Sequence, residues 1–117
     1  MNFYDNIPIY IQIANDIKEK VVNGQLKENS KLLSVRELST RYEVTALTVQ
    51  RAMQQLEAEG VIRTKKGVGS FITEGSNELL QKEMIGSQIR DFVTRMRNLG
   101  LSDKEIVSRL KEVLEYE

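Results

Sequence analysis

The fold is decided by residues 32–72, LLSVRELSTRYEVTALTVQRAMQQLEAEGVIRTKKGVGSFI. Residues 34–37 fit the S-x-x-E capping box, in which serine and glutamate side chains satisfy free backbone N–H groups at a helix start. Apolar residues follow at helical spacing to about Tyr42, and Thr45 can cap a second short helix that ends at Gly60. Two short helices joined by a tight turn predict a helix-turn-helix.

After Gly60 the apolar period changes from that of a helix to that of a strand. Residues 61–65 and 70–73 have the two-residue period of apolar and polar side chains that is typical of strands. The basic, glycine-containing stretch 66–69 separates them. A β-hairpin directly behind a helix-turn-helix is the wing of a winged-helix domain. Cations and glycines at an exposed hairpin tip contribute little to the stability of a core. They are favourable in a two-stranded ribbon whose cations approach phosphates and whose glycines let the backbone enter a narrow groove.

The flanking segments complete the predicted architecture. A helix that begins at Pro8 carries apolar residues at four-residue steps, and residues 25–33 then form a polar connection with little periodicity. Residues 74–77 are predicted to be a short linker, followed by two helices, the second of which begins with another capping box. The predicted fold is mainly α with a small β-hairpin: a winged helix-turn-helix over residues 1–75 and a two-helix segment over residues 76–117.

Composition excludes most enzyme chemistry. The 117 residues include no cysteine and no histidine, so the chain has no thiol nucleophile, no Cys/His zinc site and no imidazole base. We therefore predict a protein that is not an enzyme and that uses no cofactor and no metal. Uncharged runs are too short to span a membrane and the N-terminus lacks the pattern of a signal peptide, which predicts a cytoplasmic protein without a membrane partner.

The charge is unevenly distributed. The whole chain has 17 basic and 17 acidic side chains and a formal net charge of zero. Residues 31–66 contain seven basic and four acidic side chains, which leaves an excess of +3 in that stretch. A local excess of this kind is a weak indication of a polyanionic partner, and taken alone it more often reflects a solvated surface.

Residues 32–72 resemble the DNA-binding domain of the GntR family of bacterial transcription regulators. The family features are an SVREL opening of the second helix, a V-x-x-x-T-V start of the third, and L-E-A-E-G-V-I leading into a G-x-G-S/T-F wing, and all are present here. The opening IPIYIQIANDIKEKVVNGQLKENSKL resembles the first helix of the family, so the resemblance covers about residues 7–73. It implies a transcription regulator that binds double-stranded DNA.

The resemblance and the predicted geometry together indicate which residues contact DNA. Arg36 is expected at a phosphate or groove edge, the alternative being an exposed arginine paired with Glu37 or Thr40. Thr45 and Thr48 lie where hydroxyls and a helix N-terminus meet phosphate, although Thr45 can alternatively serve only as a cap. The predicted DNA contacts are Arg36, Thr45, Ala46, Leu47, Thr48, Gln50, Arg51, Lys65, Lys66, Gly67 and Gly69.

Three of these residues depart from the family pattern. Ala46, Leu47 and Gln50 stand at positions where relatives often carry arginine, asparagine or another polar residue. Ala46 and Leu47 can touch only apolar features of DNA such as thymine methyl groups, whereas Gln50 can pair with adenine or make no contact. The operator sequence therefore cannot be copied from a relative.

The C-terminal segment has about 42 residues, too few to enclose a dedicated metabolite pocket. Whether a small-molecule effector binds the protein is unknown from the sequence. The length of the segment resembles the small YtrA-like branch of the family, in which two such helices mediate dimerisation. The alternative is that the helices fold back on the winged helix of the same chain. The predicted homodimer interface consists of Ile85, Ile89, Phe92, Met96 and Leu110.

The predicted function is a dimeric transcription regulator, favoured as a repressor that occludes a promoter at an inverted-repeat operator. The YtrA-like branch often controls transporter operons, so the resemblance implies that class of target. A winged-helix module for protein–protein assembly, without sequence-specific DNA binding, is the alternative function. The sequence leaves open whether DNA binding represses or activates.

Overall fold

Five helices and one two-stranded antiparallel hairpin form the fold in the computed structural model, which describes Phe3 and residues 5–116. This confirms the mainly helical class predicted from the sequence. In the described part of the chain, no helix is both long and apolar enough to cross a membrane. The chain divides into two compact units, the first ending at Leu80 and the second beginning at Gln81. The elements are α1 (Ile9–Val22), α2 (Val35–Tyr42), α3 (Ala46–Ala58), β1 (Ile62–Lys65), β2 (Gly69–Ile72), α4 (Ser76–Asn98) and α5 (Asp103–Tyr116).

Helix α1 supplies one side of the core of the first unit. Ile13, Ile17 and Val21 recur at four-residue steps, and each has at most 1% of its surface exposed. The helix packs against α3. Pro8 lies one residue before the helix rather than in its first turn, and its carbonyl accepts the N–H of Ile11 at 3.1 Å. The apolar stripe predicted from the sequence is therefore the buried face of α1.

Helices α2 and α3 form the predicted helix-turn-helix. Val49, Ala52 and Leu56 on α3 have no exposed surface, whereas Met53, predicted with them, is only half-buried. Glu43 ends α2 in the left-handed conformation, with φ of 57°, and this single residue produces the tight turn. The turn places the start of α3 at the surface, where a recognition helix is needed.

The hairpin pairs Ile62 with Ile72, and a third segment extends it. The N–H of Asn29 donates to the carbonyl of Ile72 at 2.8 Å, and the N–H of Leu32 donates to the carbonyl of Ser70 at 2.8 Å. The polar connection between α1 and α2 is thus partly a strand-like edge of the wing. A polar strand of this length carries no alternating apolar pattern, so the sequence did not reveal it.

The prediction of a linker over residues 74–77 is wrong for residues 76 and 77, because α4 already begins at Ser76. Gly75 turns the chain with φ of 84°, and Ser76 is 96% buried. The Ser76 hydroxyl donates to the carbonyl of Thr73 at 2.7 Å. This segment is packed against the winged helix rather than exposed as a linker.

Asn77 connects the first turn of α4 to the end of α1. Its side-chain amide donates to the carbonyl of Val21 at 2.6 Å, and its backbone N–H donates to the Glu28 carboxylate at 3.0 Å. Backbone N–H groups of Gly75 and Asn77 lower the pKa of Glu28 below its ordinary value. The amide thereby adds a second donor, beside the N–H of Gly24, to a carbonyl that the last turn of a helix leaves without an intrahelical partner.

Replacing Asn77 with alanine is expected to destabilise the protein by about 1 kcal/mol, because the Val21 carbonyl loses the shorter of its two hydrogen bonds and keeps only the 3.2 Å bond from the Gly24 N–H. Denaturant unfolding followed by circular dichroism measures the change. Asn98→Ala is the matched control, since Asn98 lies exposed at the other end of the same helix. Equal effects of the two substitutions would show that the Asn77 contact contributes nothing specific.

The second unit contains most of α4 and all of α5. The predicted second capping box is confirmed: the Ser102 N–H donates to Glu105 at 3.0 Å, and the Glu105 N–H donates to the Ser102 hydroxyl at 3.2 Å. Arg97 binds Asp103 with two hydrogen bonds across the turn, which raises the pKa of Arg97 and lowers that of Asp103. Large apolar side chains remain exposed in this unit: Ile85, Ile89, Leu99, Val107, Leu110, Val113, Leu114 and Tyr116.

Candidate nucleic-acid interface

The start of α2 presents Arg36 without a competing carboxylate. The Ser34 hydroxyl accepts the N–H of Glu37 at 3.1 Å, and the Ser34 N–H donates to the Glu37 carboxylate at 3.0 Å, as the capping box predicted. The backbone N–H of Ser34 is the main cause that lowers the pKa of Glu37. Thr40 donates to the backbone carbonyl of Arg36, not to its guanidinium. Among the described residues, the exposed guanidinium has no ion-pair partner.

The start of α3 is capped by Thr45. Its hydroxyl oxygen accepts the N–H of Thr48 at 3.3 Å, and the two hydroxyl oxygens lie 2.9 Å apart. Two hydroxyl groups carry two protons, and one proton is used in the bond between them. One hydroxyl proton therefore remains for a phosphate, beside the positive end of the helix.

The exposed face of α3 contains the residues predicted to read bases. Leu47 keeps 61% of its surface exposed, and Ala46, Gln50 and Arg51 are also exposed. This face lies opposite the buried stripe of the helix, so its side chains are free to contact a ligand. Sequence reasoning missed Gln54, which is exposed one turn beyond Gln50 and could have been found by the four-residue spacing.

The wing tip is basic and turns sharply. Lys66 is exposed, and the Lys65 ammonium lies 5.2 Å from the centre of the Phe71 ring. Gly67 and Gly69 adopt φ of 78° and 141°, which residues with a Cβ rarely adopt. A Cβ at Gly69 would also lie 2.6 Å from the Cε atom of Lys31.

Exposed basic side chains extend over the whole region between α1 and the wing tip. Among the described residues of the first unit, the ion pairs are Lys18 with Glu59 and Lys20 with Asp16. Sequence reasoning did not include Lys31, Arg41 and Arg63 among the DNA contacts, although the local charge excess already contained them. Among the described residues between α1 and the wing tip, the exposed cations without an ion-pair partner are Lys27, Lys31, Arg36, Arg41, Arg51, Arg63, Lys65 and Lys66.

A partly buried hydrogen bond holds α2 against α1. The Tyr42 hydroxyl donates to Asp16 at 2.6 Å, and the Lys20 ammonium lies 3.0 Å from the same oxygen. Burial raises the pKa of Asp16, but the bonds from Tyr42 and Lys20 outweigh it and the net pKa is lowered. Burial and the neighbouring carboxylate raise the pKa of Tyr42 far above its ordinary value. The last residue of α2 is thus fixed, and with it the turn that positions α3.

The predicted dimer residues occupy one face of α4 and one position on α5. Ile85 and Ile89 are 50% and 57% exposed, and Leu110 on α5 is 41% exposed. Phe92 and Met96 are half-buried, so only part of their surface remains to be covered. No group of three or more acidic side chains among the described residues is placed to hold a metal ion.

Residues 9–72 match the family model described as "Bacterial regulatory proteins, gntR family". The chain belongs to this family, and it is a DNA-binding transcription regulator with a winged helix-turn-helix. Regulators of this family bind operator DNA and catalyse no reaction, so the chain is not an enzyme.

Two proteins of Bacillus subtilis (strain 168) are similar to almost the whole chain. The HTH-type transcriptional regulator YhcF is 33% identical over 115 residues, which cover 97% of this chain and 95% of YhcF. The HTH-type transcriptional repressor YtrA is 34% identical over 109 residues, which cover 91% of this chain and 84% of YtrA.

A solved GntR family transcriptional regulator from Listeria monocytogenes has the same fold, with a TM-score of 0.88 and 37% identity over 94% of this chain and 98% of that one. Together these similarities support membership of the small YtrA-like branch.

Proposed function

We propose that this chain is a homodimeric repressor that binds an inverted-repeat operator in double-stranded DNA in the bacterial cytoplasm. The observation that carries the proposal is the set of exposed cations without an ion-pair partner between Lys31 and Lys66, which lie on α2, α3, the wing and the segment before α2. The similar protein YtrA is named a repressor, which supports that direction of control. The resemblance to its branch supports a transporter operon as the class of target.

The proposed contacts divide by chemistry. Arg36, Arg51 and the free proton of the Thr45–Thr48 pair bind phosphate or the groove edge, because charge and helix dipole favour anions there. The exposed first turns of α3, with Ala46, Leu47 and Gln50, lie in the major groove and read bases. In the wing, Lys65 and Lys66 supply charge, while Gly67 and Gly69 allow close approach of the backbone.

The proposed dimer is built by residues 76–117 and presents two winged helices, each formed by residues 1–75. Its interface covers Ile85, Ile89, Phe92, Met96 and Leu110, whose remaining exposed apolar surface is otherwise left in water. A two-fold axis relates the two recognition helices, so the two half-sites form an inverted repeat. Their centres are expected about one helical turn of DNA, or a multiple of it, apart.

Operator affinity is expected to fall steeply with salt, because most of the proposed contacts are to phosphate. If a dimer neutralises ~6–8 phosphates, the logarithm of the association constant falls against the logarithm of salt concentration with a slope of about −5 to −7. Fluorescence anisotropy with labelled duplex between low and moderate salt gives the slope. A slope flatter than about −2 would contradict the assignment of the cations and favour the protein–protein assembly module.

The substitutions Arg36→Ala and Gln50→Ala are expected to impair DNA binding in different ways. The arginine substitution should weaken binding to operator and random DNA alike, since phosphate contacts carry no sequence information. The glutamine substitution should cost about 1–3 kcal/mol at one base position of each half-site and leave random DNA binding unchanged. Selection of binding sites with each variant measures both effects, and the reverse outcome would show that the two roles are exchanged.

A further inference from the structure

The first turn of α3 exposes apolar rather than polar side chains to the proposed major-groove contact. Leu47 keeps 61% of its surface exposed, and Ala46 beside it is also exposed. Val49, by contrast, has no exposed surface and belongs to the core. Leu47 therefore contributes little to the fold, and its exposed surface is available to a ligand.

Polar side chains near Leu47 offer few groups for reading bases. The hydroxyls of Thr45 and Thr48 are joined to each other, and Thr45 also caps the helix. Residues 44–50 contain no charged side chain, and Gln50 is the one amide among them. Residues 44–50 therefore cannot make the bidentate contact of arginine or lysine to guanine, or that of a carboxylate to cytosine; the next residue, Arg51, is assigned to phosphate in the function proposed above.

We propose that Leu47 reads a thymine methyl group, so that an A·T pair stands at this position of each operator half-site. The proposal rests on the function proposed above. The C5 methyl of thymine is the apolar feature that distinguishes one base pair from another in the major groove. A leucine placed against guanine would instead cover the N7 and O6 acceptors without giving them a donor, which is costly.

Gln50 supports the same base composition. It lies about one turn beyond Leu47 on the exposed face, and its amide can bind the N6 and N7 atoms of adenine with two hydrogen bonds. Together Leu47 and Gln50 predict neighbouring A·T pairs at the centre of the contact made by α3. Leu47 is then a specificity-determining residue of this chain.

Uracil substitution tests the proposal directly, because it removes the thymine methyl and leaves base pairing unchanged. An operator is first selected from a random duplex library with the unaltered protein, and each thymine is then replaced in turn by uracil. We expect one thymine in each half-site whose replacement weakens binding about three- to tenfold, the effect of a lost methyl contact. In Leu47→Ala, the same replacement should change binding less than about twofold.

Leu79→Ala is the matched control, since Leu79 is also exposed, at 52%, but lies on α4; it should keep the full sensitivity to uracil. An enriched operator that is insensitive to uracil, or equally sensitive in Leu47→Ala, would overturn this inference alone. A library from which no sequence is enriched would overturn the proposed function and this inference with it.

Discussion

The double substitution Lys65→Glu and Lys66→Glu is expected to abolish tight operator binding while the protein remains folded. It changes the formal charge of each chain from 0 to −4, and it places the new negative charges at the wing tip. There they would repel the phosphates that the lysines are proposed to attract, and the counterion release that drives binding would be lost.

Stability should change little in this variant. Lys66 makes no ion pair with any described residue, and the ammonium of Lys65 contacts the Phe71 ring, an interaction worth about 0.5–1 kcal/mol at an exposed site. Surface substitutions usually change the free energy of unfolding by less than ~0.5 kcal/mol, and the lost ring contact raises the expected limit to ~1 kcal/mol. A large drop in melting temperature would mean that the hairpin is packed and is not a wing.

The control for the double substitution is Lys104→Glu with Lys111→Glu, which gives the same net charge through two exposed lysines of α5. Anisotropy titrations at one salt concentration compare the two variants with the unaltered protein. The control should keep most of its operator affinity. Equal losses in both variants would show that overall charge, and not the wing, controls binding.

Phe92→Asp is expected to convert the dimer into a monomer that keeps its winged helix. Phe92 lies on the same face of α4 as Ile85 and Ile89, which are about half exposed. Covering the remaining half of one such side chain is worth roughly 1 kcal/mol, and a two-fold interface covers each of them twice. A carboxylate at the centre of that face would be buried without a partner, which costs more than the interface gains.

Sedimentation equilibrium at micromolar concentration measures the change, and Thr94→Asp is its control. Thr94 is exposed on the opposite face of α4, nine residues after Ile85, so the same charge should leave the dimer intact there. The Phe92→Asp monomer should lose specific operator affinity because each half-site then binds independently. Sedimentation of the unaltered protein as a monomer would contradict the proposed dimer, as would full operator affinity in monomeric Phe92→Asp.

Local patterns made the helix-turn-helix and the wing predictable. The capping box at Ser34, the cap at Thr45 and the period change after Gly60 each depend on residues within a few positions of one another. Because these signals depend only on residues close together in the sequence, the bounds predicted for α2 and α3 agree with the structure to within about two residues. The exposed face of α3 followed from the same periodicity.

Contacts between distant residues were not predictable. Asn29 pairs with Ile72, and Asn77 with Val21, each across more than forty positions, and no local pattern links residues so far apart in the sequence. The bond between the Thr45 and Thr48 hydroxyls was also missed, since it depends on side-chain geometry within the first turn of α3. In the site, residue types could be placed on a face from the sequence, but their mutual contacts could not.

The ratio of two affinities tests most directly whether this chain reads a DNA sequence. Kd is measured at about 0.15 M salt for the duplex enriched from a random library and for a scrambled duplex of equal length and composition. A specific regulator should bind the enriched duplex at least ~10³-fold more tightly, because base contacts add to the phosphate contacts common to both. Equal affinity for the two duplexes would contradict sequence-specific binding and leave the winged helix as an assembly module.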